Sequence, residues 1–231
     1  MPWYFSQRQP HLVEKMDRID CDPHLLANTY RQFSTINRLL SQWKRVYEKE
    51  LLPHMQGNKS YSLLDIGFGG GDLPLKLAHW AKRDGITLNI TAIDTDQRAF
   101  DFVQSQYGDE PVTWKCISST ELVSQNQHFD FVISNHLLHH LSNEQIIAFL
   151  EESKQLATRK ILFGDIERSD LGFILFNIFA RMIFRNSFIV EDGLISIKRS
   201  FTFTELQDLL PAGWTVKRMF PFRLILTYGK S

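Results

Sequence analysis

Residues 63–72 read Leu63-Leu64-Asp65-Ile66-Gly67-Phe68-Gly69-Gly70-Gly71-Asp72, and this stretch decides the fold. The apolar run is a buried strand through Asp65, glycines follow at 67, 69 and 71, and Asp72 stands where a helix begins. A strand entering a glycine turn and then a helix is the opening unit of doubly wound α/β nucleotide folds. A nicotinamide loop of the form G-x-G-x-x-G needs its third glycine at position 72, where Asp72 stands instead. A pyrophosphate seeks bare backbone N–H groups at a helix start and is repelled by an acid there. Taken alone, the turn also fits a generic strand-to-helix connection with Asp72 as an N-cap.

The next segment narrows the choice. Leu73 to Trp80 carries apolar residues at helical spacing, and Leu88 to Ile93 reads as a second buried strand ending in Asp94-Thr95-Asp96. Asp94 lies about 20 residues past the glycines, where such folds set a carboxylate on ribose hydroxyls. An ionised carboxylate only accepts hydrogen bonds, which suits a vicinal diol. Asp96 reads as the cap of a helix beginning near Arg98.

An acid followed by glycines at every second position resembles the signature of class I S-adenosylmethionine (SAM)-dependent methyltransferases. SAM carries a ribose, an ammonium and a sulfonium but no phosphate, so acids around the loop attract it. The resemblance implies SAM as cofactor and S-adenosylhomocysteine as product. It implies a cofactor site at Asp65, Gly67, Phe68, Gly69, Gly71, Asp94, Thr95, Ser118, Ser119 and Asn135. Many members follow the third strand, here Val112 to Ile117, with an Asp that receives the adenine amino group. Ser118-Ser119 occupy that place and accept such a bond more weakly.

Together with the remaining pattern, the resemblance implies the fold class: a Rossmann-like, mostly parallel seven-stranded α/β sheet with an antiparallel last strand. Phe129 to Ser134 and Lys160 to Gly164 are the fourth and fifth strands, and Trp214 to Met219 and Arg223 to Tyr228 form the closing pair joined at Pro221. Ile36, Leu40, Trp43, Tyr47 and Leu51 trace an amphipathic helix that Pro53 and Gly57-Asn58 end. Glu191-Asp192-Gly193 reads as a turn, and Thr204 as the N-cap of a last helix. The expected organisation is an N-terminal helical cap over residues 1–58 and a SAM-binding domain over 59–231, with a helical lid over about 167–200. Segments 16–43 and 165–203 are also similar to a bacterial methyltransferase subgroup found near polyketide-type pathways.

Asn135-His136-Leu137-Leu138-His139-His140-Leu141 follows the fourth strand, at the edge where open α/β sheets bind ligands. It resembles the Leu-His-His-Leu segment of small-molecule methyltransferases that act on hydroxyls. His139 and His140 are the candidate bases, since an activated methyl leaves only the acceptor proton as an obstacle. Asp165, ending the fifth strand, either assists the histidine as in similar enzymes or caps the next segment. His136 and His140 share a helical spacing, but no acid accompanies them at zinc-site spacing and HExxH is absent, so no metal is expected.

Residues 171–190 are the most apolar run and approach the length of a membrane span, yet they contain Asn177, Arg181 and Arg185. A lid facing a small hydrophobic or aromatic acceptor is the expectation, with core packing, a subunit interface or peripheral membrane contact as alternatives. The 231 residues carry zero formal net charge, so no basic field points to nucleic acid. Cys21 and Cys116 form no metal or redox spacing, and Met1-Pro2-Trp3-Tyr4-Phe5-Ser6-Gln7-Arg8 lacks a leader pattern, so the expected compartment is the cytoplasm. The sequence therefore reads as an O-methyltransferase of a small hydrophobic acceptor. N- or C-methylation, a catalytically silent SAM-fold protein and a nicotinamide dehydrogenase stand as alternatives, and oligomeric state is not legible.

Overall fold

The computed structural model describes residues 4–229; Met1, Pro2 and Trp3, on which part of the leader-pattern reading falls, and Lys230 and Ser231 lie outside the described residues. Among these, seven strands form one sheet: β1 Ser60–Ile66, β2 Thr87–Asp94, β3 Val112–Cys116, β4 Phe129–Asn135, β5 Ala157–Ile166, β6 Thr215–Met219 and β7 Arg223–Gly229. Their order is β3-β2-β1-β4-β5-β7-β6, and β7 alone runs opposite to the other six. The chain walks outward from β1 to β3 and then returns to β4 on the other side of β1. The reversal opens a crevice at the carboxyl ends of β1 and β4, where ligands bind in such sheets.

The central strands read as continuous apolar runs because both faces are covered. Leu63, Phe131, Ile133 and Leu162 point into one core layer with Tyr30, Trp43, Tyr47 and Leu77. Leu64, Val132, Ile161 and Phe163 point into the other, with Ile146, Leu150, Phe201 and Leu206. The first layer is roofed by α1 Pro23–Ile36, α2 Trp43–Val46, α3 Asp72–Arg83 and α4 Gln97–Tyr107. The helices α5 Ser119–Ser124, α6 Asn143–Leu156 and α9 Phe203–Leu209 flank the other side, while α7 Asp170–Ile183 and α8 Ile189–Arg199 lie between β5 and α9 in the chain.

Several local expectations change. The helix expected from Ile36 to Leu51 is broken at Gln42, whose φ is 55°, into α2 and the π-helical turns Asn37–Ser41 and Tyr47–Leu51. Pro53 sits inside the 3-10 turn Leu52–His54 that closes this stretch. Asp96 caps α4 as expected, but the last helix is capped by Thr202 in a capping box with Glu205, so Thr204 lies inside it. Glu191-Asp192-Gly193 is helical within α8, because acids are favourable in a first helical turn. The Phe176 ring occupies the space a Cβ at Gly193 would take, so a side chain there would require that ring to move.

Candidate active site

The glycine turn is built tightly. Gly67, Gly69 and Gly71 all adopt positive φ (80°, 50° and 77°), and Gly71, the N-cap of α3, would drive a Cβ to 2.9 Å from Val103 and 3.0 Å from Trp114. The Phe68 ring packs edge-on against Trp114, 5.2 Å between centroids. At the end of β2 the two Asp94 oxygens accept backbone N–H bonds from Gly69 (2.9 Å) and Asp96 (3.0 Å), which fixes the carboxylate beside the loop. Burial raises the Asp94 carboxyl and its backbone donors oppose the rise. Asp65 is 1 % exposed, and its Oδ1 has no hydrogen-bond partner within the protein. Burial, with Asp72 and Asp94 nearby, holds this carboxyl well above the usual range.

Two cavities meet at this edge. The larger, about 660 Å³, touches Asp65, Gly67, Phe68, Gly69, Asp94 and Thr95 and runs on past Asn135, His139 and His140 to α7 and α8. The smaller, about 270 Å³, shares Gly67, Asp94 and Thr95 and is lined by Ser118, Ser119, Ile117 and Leu137. Both serines are engaged: Ser118 caps α5 in a capping box with Glu121, and Ser119 Oγ donates to Glu152 at 2.6 Å. Asn135 Oδ1 accepts from Arg223 Nη2 at 2.6 Å.

The histidine segment is not a continuous helix. His136 has φ 62° and donates its N–H to the Gly164 carbonyl, and Leu138–His140 is a 3-10 turn. Arg223 Nη1 donates to His136 Nε2 at 3.0 Å, and burial together with that guanidinium holds His136 well below its usual value. The ring is therefore neutral and serves as an acceptor. Burial also pushes Arg223 down, to about 10.

His139 lies between two carboxylates. Its Nδ1 is 2.7 Å from Asp165 Oδ1, and its backbone N–H donates to Asp165 Oδ2 at 2.9 Å. Its Nε2 lies 3.5 Å from Glu14 Oε1. Burial alone would lower His139, but Asp165 and Glu14 outweigh it and push the imidazole up to about 9. Asp165 is held well below the carboxylate range: burial opposes this, and the His139 charge and hydrogen bond overcome it. Asp165 is thus a member of β5 facing His139, and Ser169 caps the following helix instead. His140 is the more open ring, its side chain 26 % exposed, with Nε2 3.7 Å from Glu14 and Nδ1 3.3 Å from Asp17.

Glu14 and Asp17 had no signal in the sequence, being polar residues of a non-periodic segment far along the chain from the histidines. They reach the site because α8 clamps that segment: Asp192 accepts the backbone N–H groups of Lys15 (2.7 Å) and Met16 (3.0 Å), and Ser196 Oγ donates to Glu14 at 2.8 Å. Glu14 is 3 % exposed; burial opposes its ionisation, but His139 and His140 hold its carboxyl below the usual range. The missing acid in the zinc-spacing argument is thereby supplied through space. Glu14, His139 and His140 each bring one ligand atom within 4.8 Å of the others, as do His136, His139 and Asp165.

Residues 63–159 match the family described as "Methyltransferase domain". The match runs from β1 into β5 and takes in the glycine turn, Asp94 and the histidine segment. No curated protein matches the sequence closely enough to compare. Among solved structures, the fold is similar to the plantazolicin methyltransferase BpumL in complex with a pentazolic desmethylPZN analog and SAH: 13 % identity, 87 % of this chain and 86 % of that one, TM-score 0.57. It is similar to magnesium protoporphyrin IX methyltransferase (ChlM) from Synechocystis PCC 6803 with bound SAH, at 15 % identity, 88 % and 86 % coverage and TM-score 0.55. It is also similar to a SAM-dependent methyltransferase from Aquifex aeolicus, at 18 % identity, 89 % and 97 % coverage and TM-score 0.55. At such identities the likeness is one of fold.

The crevice suits SAM on its own residues. A buried carboxylate oxygen without a partner, on Asp65, is what a cationic or N–H-bearing ligand satisfies. The glycine turn leaves backbone without side chains at the ligand edge, and each Asp94 oxygen keeps a free lone pair for a ribose hydroxyl.

Proposed function

We propose that this methyltransferase acts on an oxygen of a small hydrophobic acceptor. The observation that carries the reading is the continuity of the larger cavity, which joins the Gly67–Asp94 edge to the His139–His140 pair and to an apolar wall including Phe33, Phe176 and Phe179. Ligand pockets of this kind are mostly apolar with a few convergent polar groups. The N-terminal segment over the histidines and α7 with α8 beyond β5 support the organisation of a cap on residues 1–58, a SAM-binding domain on 59–231 and a lid over about 167–200. Both cysteines are free thiols, in keeping with a reducing cytoplasm.

SAM supplies an activated methyl group when bound. Asp65, Gly67, Phe68, Gly69 and Gly71 would hold its amino-acid and sulfonium side, with Asp94 and Thr95 on the ribose. Ser118, Ser119 and Asn135 belong to this reading more weakly, because their polar side-chain atoms are already bonded within the protein. With the methyl group supplied in activated form, what the protein's own residues would have to do is take up the acceptor proton. His140 suits that role, being open to the cavity with Glu14 and Asp17 placed to hold the imidazolium that results. His139 is a positioning residue: protonated at neutral pH, it locks Asp165 and Glu14 around the turn that carries His140.

The test is turnover with labelled SAM over a panel of phenols, quinols and hydroxylated alkyl aromatics, with SAM affinity measured by calorimetry. His140→Ala is expected to lower kcat by about 10²- to 10⁴-fold with SAM affinity unchanged. Full turnover by both His140→Ala and His139→Ala would remove the histidines from the chemistry. Methyl uptake only on nitrogen or carbon would replace the oxygen assignment.

A further inference from the structure

Helix α7 is at once a wall of the large cavity and an exposed apolar surface. Of its 14 residues only Gly172 and Ala180 are buried. Leu171 (58 % exposed), Ile174 (53 %), Ile178 (53 %) and Met182 (70 %) recur at three- and four-residue steps along one outer stripe. Phe179, 56 % exposed, belongs to the same surface and also lines the cavity. Beside the start of the helix, the Phe222 ring lies against Gly172, and Phe220, two residues earlier at the tip of the β6–β7 connection, is 82 % exposed. Apolar residues of α7 thus line the cavity and also face outward on the protein surface. Contiguous apolar surface of this kind marks an interaction site.

Charge decides what covers it. From Leu171 through Val190 the charged residues are Arg181 and Arg185, both exposed, with no acid among them. Two copies paired through α7 would seal the apolar opening, and the one acid of that helix, Asp170, is already bonded to the backbone N–H groups of Tyr4 and Phe5. An anionic bilayer surface supplies phosphates for the arginines, an apolar medium for the outer stripe and an open mouth for the cavity. The helix reaches about 21 Å, short of the ~30 Å hydrocarbon core, and no helix among the described residues is long and apolar enough to cross a membrane. Such a helix lies in the interface plane.

We propose that α7 and the Phe220 tip dock on an anionic membrane surface, so that the acceptor enters the cavity from the bilayer as an amphiphile. What enters rests on the methyl-transfer reading above; the docking does not, and is measured without turnover. The full chain is floated with vesicles of phosphatidylcholine containing about one third phosphatidylglycerol and with vesicles of phosphatidylcholine alone. Wild type is expected to float with the mixed vesicles, and recovery should fall in the neutral vesicles and at high salt. Ile174→Asp with Ile178→Asp, residues outside the cavity, should cut vesicle partitioning by about tenfold or more while SAM calorimetry stays unchanged. Arg181→Glu with Arg185→Glu should remove the preference for the anionic vesicles. Equal recovery of wild type with and without vesicles overturns the proposal. So does a stable dimer, seen by light scattering, that Ile178→Asp dissociates while vesicle binding is absent. Vesicle binding without SAM binding would keep the docking and sink the methyl-transfer reading, and SAM binding without docking would do the reverse.

Discussion

The two halves of the cavity are built by different means. On the side proposed for the cofactor, β1, the glycine turn and β2 place Asp65, Gly67, Gly69 and Asp94 together within 30 residues of chain. On the side proposed for the acceptor, Glu14 and Asp17 come from the N-terminal segment, His139 and His140 from a 3-10 turn after β4, Asp165 from β5 and Arg223 from β7. The first half is held by backbone geometry, with positive φ at three glycines and two backbone N–H groups on Asp94. The second is held by charge, with the His139 imidazolium between the carboxylates of Glu14 and Asp165, which lie far apart in the chain. Backbone geometry tolerates pH and fails on substitution, whereas a charge seam fails when its proton is removed.

The sharpest way to break this contrast is at the turn. Gly71→Val puts a β-branched residue at φ 77° with its Cβ against Val103 and Trp114. Strain and overpacking together should cost about 4 kcal/mol of unfolding free energy, measured by denaturant titration. A loss below about 1 kcal/mol would mean the turn relaxes, and backbone geometry would not be what holds the cofactor half.

A pH titration probes the other side. His139 binds its proton more tightly in the folded protein, at about 9, than at its ordinary value of 6.5. The stabilisation is thus complete below pH 6.5 and is lost as pH rises through 9, on the order of 3 kcal/mol across that window. Unfolding free energies of wild type should fall over this range, and those of His139→Gln should stay flatter. Parallel curves would show that the imidazolium is not the seam between the N-terminal segment and the sheet.

The smallest effect lies at the ribose edge. Asp94→Asn turns one of two acceptor oxygens into a donor that faces the backbone N–H groups of Gly69 or Asp96. SAM affinity should fall about tenfold, in line with the loss of one charge-assisted bond, with stability changing less than in Gly71→Val. Calorimetry with SAM and its demethylated product checks this, and unchanged affinity for both would detach Asp94 from the ligand.

This division also sets what could be read before the fold was known. The parallel sheet was legible because strands covered on both faces are uninterrupted apolar runs, and the glycine turn because its conformation restricts residue type. Helix breaks were less legible: the bend at Gln42 follows no glycine or proline, and Glu191-Asp192-Gly193, turn-like in composition, lies in the first turns of α8.

The sequence by itself determined the order of strands and helices, the turn at Gly67–Gly71 and the acid that ends β2, since each depends on neighbours within one or two elements. Only the tertiary structure decided that Glu14 and Asp17 face His139 and His140, that burial and the Arg223 guanidinium keep His136 neutral, and that α7 exposes an apolar stripe beside the cavity. Those relations join residues that no periodicity links. They arise because burying a charge demands a partner of opposite sign, wherever in the chain that partner lies.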